Sequence, residues 1–557
     1  MILKTIYSIV PTAFLKKLRL NLLLSLVVQL LDCCSVVLLV PVIMGLFHHD
    51  SLSNFIPADW ILRTSQNPLL LLAFVVFFFI VKNIIYIKII RFQSEFYYDV
   101  SNSLSTTLLR DFLNKDLLSV KTAKNSALVK NIVYIPNNFT TYILSSAIQI
   151  ISEILLLVLI LAGCFMLNPL GSFVLLMVSA VLIAGLYFVG RSEIKSANRS
   201  MSEKYDKNFS HLLNAVNGFS EIKINRLENY FVEKFGHSNA GLNKIYSNLM
   251  SNRISKPKYT ETFLILFIAV LLIISKYLST ENHLVFISFL FASSIKIVPS
   301  VNRVLIGMAN FKSHLYTIGI LQKIPNPKAT IAETEVLFTH KIALQNISFS
   351  YGSKPLLSNV SMIIPKGKTI GIFGNSGNGK TTLINILATL IDADSGTILC
   401  DNVTIDNTNK TGFLKLLSYV PQAPFILEGS ILENLRLGNA CGSETINTYL
   451  KLFDLEEIIE NLPQKLHTFI GSNGYALSGG QLQRIALIRA LLRNPEILIL
   501  DEATNQLDQT LKNKTANILK ALSKENNLTV ICISHHKNEL DSFCDAVYEL
   551  KNGTLTS

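Results

Sequence analysis

The chain has 557 residues, with 50 Lys and Arg against 38 Asp and Glu, a formal net charge of +12, and 50% hydrophobic residues. Only 16% are charged, against about 25% in an average soluble domain, and the mean hydropathy is +0.41. These values exclude a disordered protein and a single soluble domain; the length alone suggests about three or four domains. The seven cysteines are odd in number and show no tight repeating spacing, and Cys33, Cys34 and Cys164 lie in apolar runs. They read as small buried thiols of a reducing compartment rather than as a disulfide framework.

Six long apolar runs precede residue 310 and none follows it: 20–47, 68–90, 139–167, 169–190, 259–277 and 284–307. Each holds about 19 residues or more, enough at 1.5 Å per residue to cross a hydrocarbon core of about 30 Å. Lys16, Lys17 and Arg19 ahead of the first run imitate a signal peptide. That run is too long, carries Asp32 and lacks a small-residue cleavage site, so it is expected to be a span.

Basic residues number 22 across the N-terminus, 91–138 and 191–258; the alternate connections hold two, Arg63 and Lys276. The positive side stays in the cytoplasm, which places the N-terminus and both long connections there. The basic balance is thus expected to reflect topology, not a nucleic-acid surface. Both long connections are polar at helix-compatible spacing with few Gly or Pro, so the flanking spans are expected to continue into the cytoplasm as helices. The outer stretch 51–60, with Pro57 inside it, fits either a brief surface helix or a plain loop.

Asp32, Lys82, Glu153, Lys296 and Arg303 fall inside these runs. Each costs about 2.5–3.5 kcal/mol at a helix centre on insertion scales, so each must pair, snorkel or face a wet interior. Two readings stay open: packing ion pairs such as Asp32 or Glu153 with a lysine, or a polar translocation cavity.

Past Ile324-Pro325-Asn326-Pro327 the composition turns to that of a soluble α/β domain, with strand-like runs such as 341–351, 369–373 and 497–500 alternating with helical patterns. Gly374-Asn375-Ser376-Gly377-Asn378-Gly379-Lys380-Thr381 follows an apolar strand and leads into a helix expected near Thr382. This is a phosphate loop in its required setting. Its backbone N–H groups close on phosphate oxygens, Lys380 neutralises β/γ charge, and the Thr381 hydroxyl ligates Mg²⁺. A second element, Ile497 to Leu500 followed by Asp501 and Glu502, is an apolar strand ending in two carboxylates. Asp501 would reach Mg²⁺ at the sheet's carboxyl edge, and Glu502 would orient the attacking water.

Between them lies Leu477-Ser478-Gly479-Gly480-Gln481, opening a helix expected near Leu482. That pentapeptide, between such a loop and such a strand, resembles the ATP-binding cassette (ABC) family. The resemblance implies that it contacts the γ-phosphate of ATP held by a partner subunit, so that two cassettes sandwich two nucleotides. Tyr351 resembles the aromatic that stacks on adenine. Gln422, in Tyr419-Val420-Pro421-Gln422, resembles the glutamine that contacts Mg²⁺ and water. His535 resembles the histidine at the γ-phosphate, with His536 as its rival. Residues 428–435 and Gly218-Phe219-Ser220-Glu221-Ile222-Lys223 resemble the exporter branch, the latter as a cytoplasmic turn that docks on a cassette; a first such turn is placed around 116–121. After Glu502-Ala503-Thr504 the family usually has Ser-Ala-Leu-Asp; this chain has Asn505-Gln506-Leu507-Asp508, keeping only Leu and Asp508.

The resemblance spans the whole chain, in the order of an exporter half-transporter. The expected fold class is a membrane α-helical domain of six transmembrane helices (residues 1–320), a linker (321–336), and a soluble α/β P-loop nucleotide-binding domain (337–557). A second half-transporter, most simply an identical one, would complete it. ATP and Mg²⁺ are the expected cofactors, a bacterial plasma membrane the expected location, and membrane lipid and an amphipathic substrate the expected partners. About nineteen residues precede the first span, which disfavours a leader-cleaving peptidase domain. Asp32, Ser152-Glu153-Ile154 and Pro299-Ser300-Val301-Asn302-Arg303, preceded by Lys296, are similar to flippases of lipid-linked oligosaccharides. A peptide or drug exporter is the alternative reading, and a non-pumping ATP-gated membrane protein a third.

Overall fold

The structure, a computed structural model, describes residues 2–47, 68–122, 128–167, 169, 172–173, 191–277, 283–322, 334–471 and 474–556. The chain divides into two units: Met1–Lys115 with Lys121–Asn326, and Asp116–Val120 with Pro327–Ser557.

The first unit is helical. Its principal helices are Leu15–Phe47, Pro68–Leu113, Ser145–Leu167, Arg191–Asn217, Glu228–Tyr277 and His283–His314. Among the described residues, four helical stretches are long and apolar enough to cross a membrane: Thr12–Val40, Leu72–Leu113, Lys130–Leu167 and Ser288–His314. They coincide with the expected runs 20–47, 68–90, 139–167 and 284–307. The run 259–277 ends the helix Glu228–Tyr277. The run 169–190 lies almost wholly outside the described residues, and the outer stretch 51–60 lies entirely outside them.

The expected continuation of spans into longer helices is present. Pro68–Leu113 has 46 residues and Glu228–Tyr277 has 50. At 1.5 Å per residue each is roughly 70 Å long, more than twice a hydrocarbon core. Where the third span begins, the helix is irregular. Lys130–Tyr134 and Phe139–Leu144 are π-helical. Pro136 supplies no N–H, and the Thr140 hydroxyl donates to the Pro136 and Asn137 carbonyls at 3.2 and 3.1 Å, so the regular ladder is interrupted there. Buried Phe96, Val100 and Leu104 pack with Ile135, Phe139, Ile143 and Leu144 to hold this region together.

The second unit is built on two main sheets, beside a two-stranded one that pairs Gly429–Ser430 with Phe469–Ile470. Six strands run in the order Thr554–Thr556, Ala546–Lys551, Thr369–Phe373, Thr529–Ser534, Ile497–Asp501, Leu417–Val420. The last five are parallel neighbours. Every residue of Ile497–Asp501 and Thr529–Ser534 is buried, which is why these strands read as unbroken apolar runs. Parallel pairing brings the carboxyl ends of Thr369–Phe373, Thr529–Ser534, Ile497–Asp501 and Leu417–Val420 to one edge. The other main sheet is antiparallel, in the order Lys354–Pro365, Lys341–Tyr351, Ser395–Cys400 and Val403–Thr404. The short segment Asp116–Val120 belongs here too: the Leu117 N–H donates to the Leu390 carbonyl at 3.0 Å, and Leu117 and Leu118 pack against the core.

Candidate functional site

The glycine loop leaves the buried strand Thr369–Phe373 and enters the helix Lys380–Leu387, two residues earlier than expected. Gly377 (φ 84°) and Gly379 (φ 96°) adopt the left-handed conformation that lets the loop turn back on itself. A Cβ on Gly374 would lie 2.5 Å from the Leu550 carbonyl oxygen, so the loop's first residue admits no side chain. The Asn378 amide donates to that same carbonyl at 3.0 Å. Lys380 is buried, and its ammonium donates to the Gly374 and Asn375 carbonyls at 2.6 and 3.1 Å. Asn375, Ser376 and Thr381 are exposed, and Thr382 is buried in the helix.

The carboxylates stand on the same edge. Asp501 accepts from the Tyr419 hydroxyl at 3.0 Å and from the Thr381 hydroxyl. Burial holds the Asp501 carboxyl above its ordinary value, and the Glu502 charge adds to this against Tyr419, Thr381 and Lys380. Burial also raises the Tyr419 phenol, with Asp501 reinforcing it. Glu502 has a left-handed backbone (φ 49°). Its Oε2 accepts from the Gln422 amide at 2.9 Å and the Asn505 amide at 3.0 Å, and its Oε1 lies 3.5 Å from His535 Nδ1. The rings of His535 and His536 are 3.9 Å apart, and the His536 backbone N–H bonds Ser534. The structure therefore brings together Lys380, Thr381, Gln422, Asp501, Glu502 and His535.

The remaining expected residues sit elsewhere on the unit. Tyr351, 45% exposed, ends a strand of the antiparallel sheet and meets Phe349 edge-on at 5.0 Å. Leu477 packs against the core, and Ser478 caps the helix Gly479–Leu491. Gln481 N–H donates to Ser478 Oγ at 3.3 Å and Gln481 Oε1 accepts from Ser478 N–H at 2.8 Å, a capping box that starts the helix three residues before the expected Leu482. A Cβ on Gly479 would lie 2.1 Å from Gln506 Oε1, and one on Gly480 would lie 3.0 Å from the Gln506 carbonyl. Asp508 caps the helix Gln509–Asn526 by accepting from Leu511 N–H at 2.9 Å. Tyr419, Asn505 and Gln483 are partners in the site that the motifs alone leave unassigned. Tyr419 was visible within the Tyr-Val-Pro-Gln stretch and Asn505 as a departure from pattern; Gln483 gave no signal.

A second candidate site lies in the membrane unit. A cavity of about 480 Å³ is lined by all five ionisable residues singled out in the apolar runs, together with Gln29, Tyr86, Tyr97 and Gln149. Lys82 and Lys296 both donate to Asp32 Oδ1, at 2.8 and 2.7 Å. Arg303 donates to both oxygens of Glu153. The expected pairing of Glu153 with a lysine is thus corrected to an arginine, whose planar fork matches two carboxylate oxygens. Pairing and cavity lining hold together, since the same five side chains do both.

Residues 18–294 match the ABC transporter transmembrane region, and residues 357–505 match the ABC transporter family's ATP-binding segment. The chain belongs to the ABC transporter family. A putative export ATP-binding/permease protein of Rickettsia typhi is 39% identical over 223 residues, which is 39% of this chain and 38% of the relative. The chain thus spans well under half the length of that curated relative. A probable ABC transporter ATP-binding/permease protein of Haemophilus influenzae is 27% identical over 395 residues, 69% of this chain and 71% of that one. Among solved structures, a bacterial Atm1-family ABC exporter with ATP bound superposes with a TM-score of 0.81 at 17% identity, covering 98% of this chain and 95% of that chain. At that identity the likeness is one of fold.

Proposed function

We propose that two copies of this chain form an ATP-driven exporter in a bacterial inner membrane, with the N-terminus and the cassette on the cytoplasmic side. Residues 1–320 would be its transmembrane domain, 321–336 a linker and 337–557 its ATP-binding domain. The observation that carries this reading is the meeting of Lys380, Asp501, Glu502, Gln422 and His535 at one sheet edge of a chain that also holds apolar spans.

Each group has a role its geometry supports. The loop 374–382 cradles phosphate with backbone N–H groups, and Lys380 exchanges the loop carbonyls for β/γ oxygens. Tyr351 stacks on adenine. Thr381, Asp501 and Gln422 offer the hard oxygens that Mg²⁺ takes, and that ion neutralises phosphate charge when bound. Glu502 orients the attacking water, and His535 turns toward the γ-phosphate. Leu477–Gln481 of one copy closes on the nucleotide of the other, with Asp508 beside that contact. Closure favours an outward-facing state, and hydrolysis releases it. The segments 116–120 and 218–223 would transmit the change.

The cargo is read as amphipathic, taken from the cytoplasmic leaflet, and lipid-linked glycan is the favoured class. Three cationic side chains face two carboxylates in the cavity, a surplus of one positive charge per chain that suits an acidic headgroup. Reconstitution into vesicles is the test. ATPase activity and uptake should both vanish in Lys380→Ala and in Glu502→Gln, and an anionic glycolipid should stimulate wild-type turnover. Stimulation by peptide instead would make it a peptide exporter, and hydrolysis without accumulation a non-pumping ATPase. Full turnover with Lys380 and Glu502 both replaced would defeat the whole reading.

A further inference from the structure

Glu502 sits on a left-handed backbone and so is not held by regular strand geometry; something else must fix where its carboxylate points. Two side-chain amides converge on one of its oxygens. Gln422 donates to Oε2 at 2.9 Å and Asn505 at 3.0 Å, which leaves Oε1 turned toward His535. Gln422 already belongs to the proposed nucleotide site. Asn505 stands where the family pattern has serine.

Asn505 is itself anchored on both sides. Its backbone N–H donates to the Glu502 carbonyl at 3.2 Å, closing a tight turn. The next N–H, that of Gln506, donates to Gln483 Oε1 at 3.2 Å. Gln483 is 1% exposed, and its amide donates to the Gln422 carbonyl at 3.4 Å. A single buried glutamine thereby ties together the two segments whose amides grip the carboxylate. A serine hydroxyl at 505 is shorter than the asparagine amide by one heavy atom and would leave a gap to Glu502 Oε2.

We infer that Asn505 is a positioning residue for ATP hydrolysis: its amide, paired with that of Gln422, fixes the rotamer of Glu502 so that Oε1 alone faces the attacking water. This rests on the reading of Glu502 as the carboxylate that orients that water. Preorganisation of this kind acts on turnover and not on nucleotide capture, because Asn505 makes no bond to the phosphate loop in the structure.

The test uses the full-length protein in lipid vesicles, with MgATP titrated against wild type, Asn505→Ala, Asn505→Asp and Glu502→Gln. Asn505→Asp keeps the shape and replaces the donor by an acceptor that repels Glu502. Both substitutions at 505 should lower kcat about tenfold and leave KM for ATP within about twofold, as expected when one donor to a charged group is lost from a catalytic arrangement. Thermal midpoints should match wild type. The inference is overturned if Asn505→Asp or Asn505→Ala turns over at the wild-type rate. It is equally overturned if KM and the thermal midpoint shift along with kcat, which marks a structural role. Retained turnover in Glu502→Gln would instead overturn the underlying reading of Glu502, so the two failures are distinct.

Discussion

Arg303 grips Glu153 with two guanidinium nitrogens, Nε on one carboxylate oxygen at 2.5 Å and a terminal nitrogen on the other at 3.2 Å, and so joins two membrane helices. The Glu153 side chain is only 5% exposed and the Arg303 side chain 37%. Removing the arginine strands a buried charge, whereas removing both charges does not. Arg303→Ala should therefore destabilise the detergent-solubilised protein by about 2–3 kcal/mol, less than the 3–5 of a wholly dry pair because Arg303 is partly wet. Arg303→Met with Glu153→Leu should recover most of that loss. Thermal unfolding of the single and double variants measures both.

Tyr419 reaches Asp501 from a neighbouring parallel strand and fixes the side chain proposed to hold Mg²⁺. Partners of metal ligands commonly matter by 10–100-fold in metal affinity. Tyr419→Phe is expected to raise the Mg²⁺ concentration for half-maximal ATPase about tenfold, at the low end of that range, with little change at saturating Mg²⁺. An Mg²⁺ titration of the purified variant checks this.

Gly374 packs its Cα against the carbonyl of Leu550, a strand backbone that cannot swing aside as a flexible side chain would. Gly374→Ala should cost about 1–3 kcal/mol, as overpacking does in well-filled interiors. It should also weaken binding of an ATP analogue, because the loop must shift to accept the methyl. Differential scanning fluorimetry with and without nucleotide separates the two effects.

Asp401 ties down the entrance to the antiparallel sheet. Its carboxylate accepts from the N–H groups of Thr339, His340 and Lys341 at 2.7, 2.8 and 2.8 Å, and from the Thr339 hydroxyl at 2.6 Å. Burial alone would raise its pKa, but these four bonds outweigh it and hold the carboxyl well below the ordinary 3.8. A carboxylate depressed in the folded state adds stability that is complete above its unfolded pKa and fades as pH falls toward the folded one. Asp401→Asn should therefore lower the thermal midpoint at pH 7, and the gap to wild type should narrow below about pH 3.8. Midpoints of both proteins between pH 3 and 7 decide it.

Local chemistry made much of this molecule legible in its sequence. Runs of apolar residues marked the spans, and polar helical spacing marked their extension into the 46- and 50-residue helices. Glycines at fixed spacing marked the phosphate loop, and an unbroken apolar run ending in Asp501 marked a strand buried on both faces. Partners distant in the chain were not legible. Lys296 meets Asp32 across 264 residues, and Tyr419 meets Asp501 across 82. Charge type limits such pairings without choosing among them, so Arg303 and a lysine were equally good partners for Glu153 until the helices were placed. The irregular start of the third span was hidden for a different reason: Pro136 and Thr140 act together on the backbone, and neither residue alone predicts it.

The five residues Asp116–Val120 fold with the ATP-binding unit although more than two hundred residues, Lys121–Asn326, separate them from it in the chain. A recombinant fragment cut at Pro327 would therefore be missing a piece of its own surface: the seat for Leu117 and Leu118 and the carbonyl of Leu390 would open to water. Such a fragment should be stickier in solution than its sequence suggests, and a short peptide carrying residues 116–120 should quiet it.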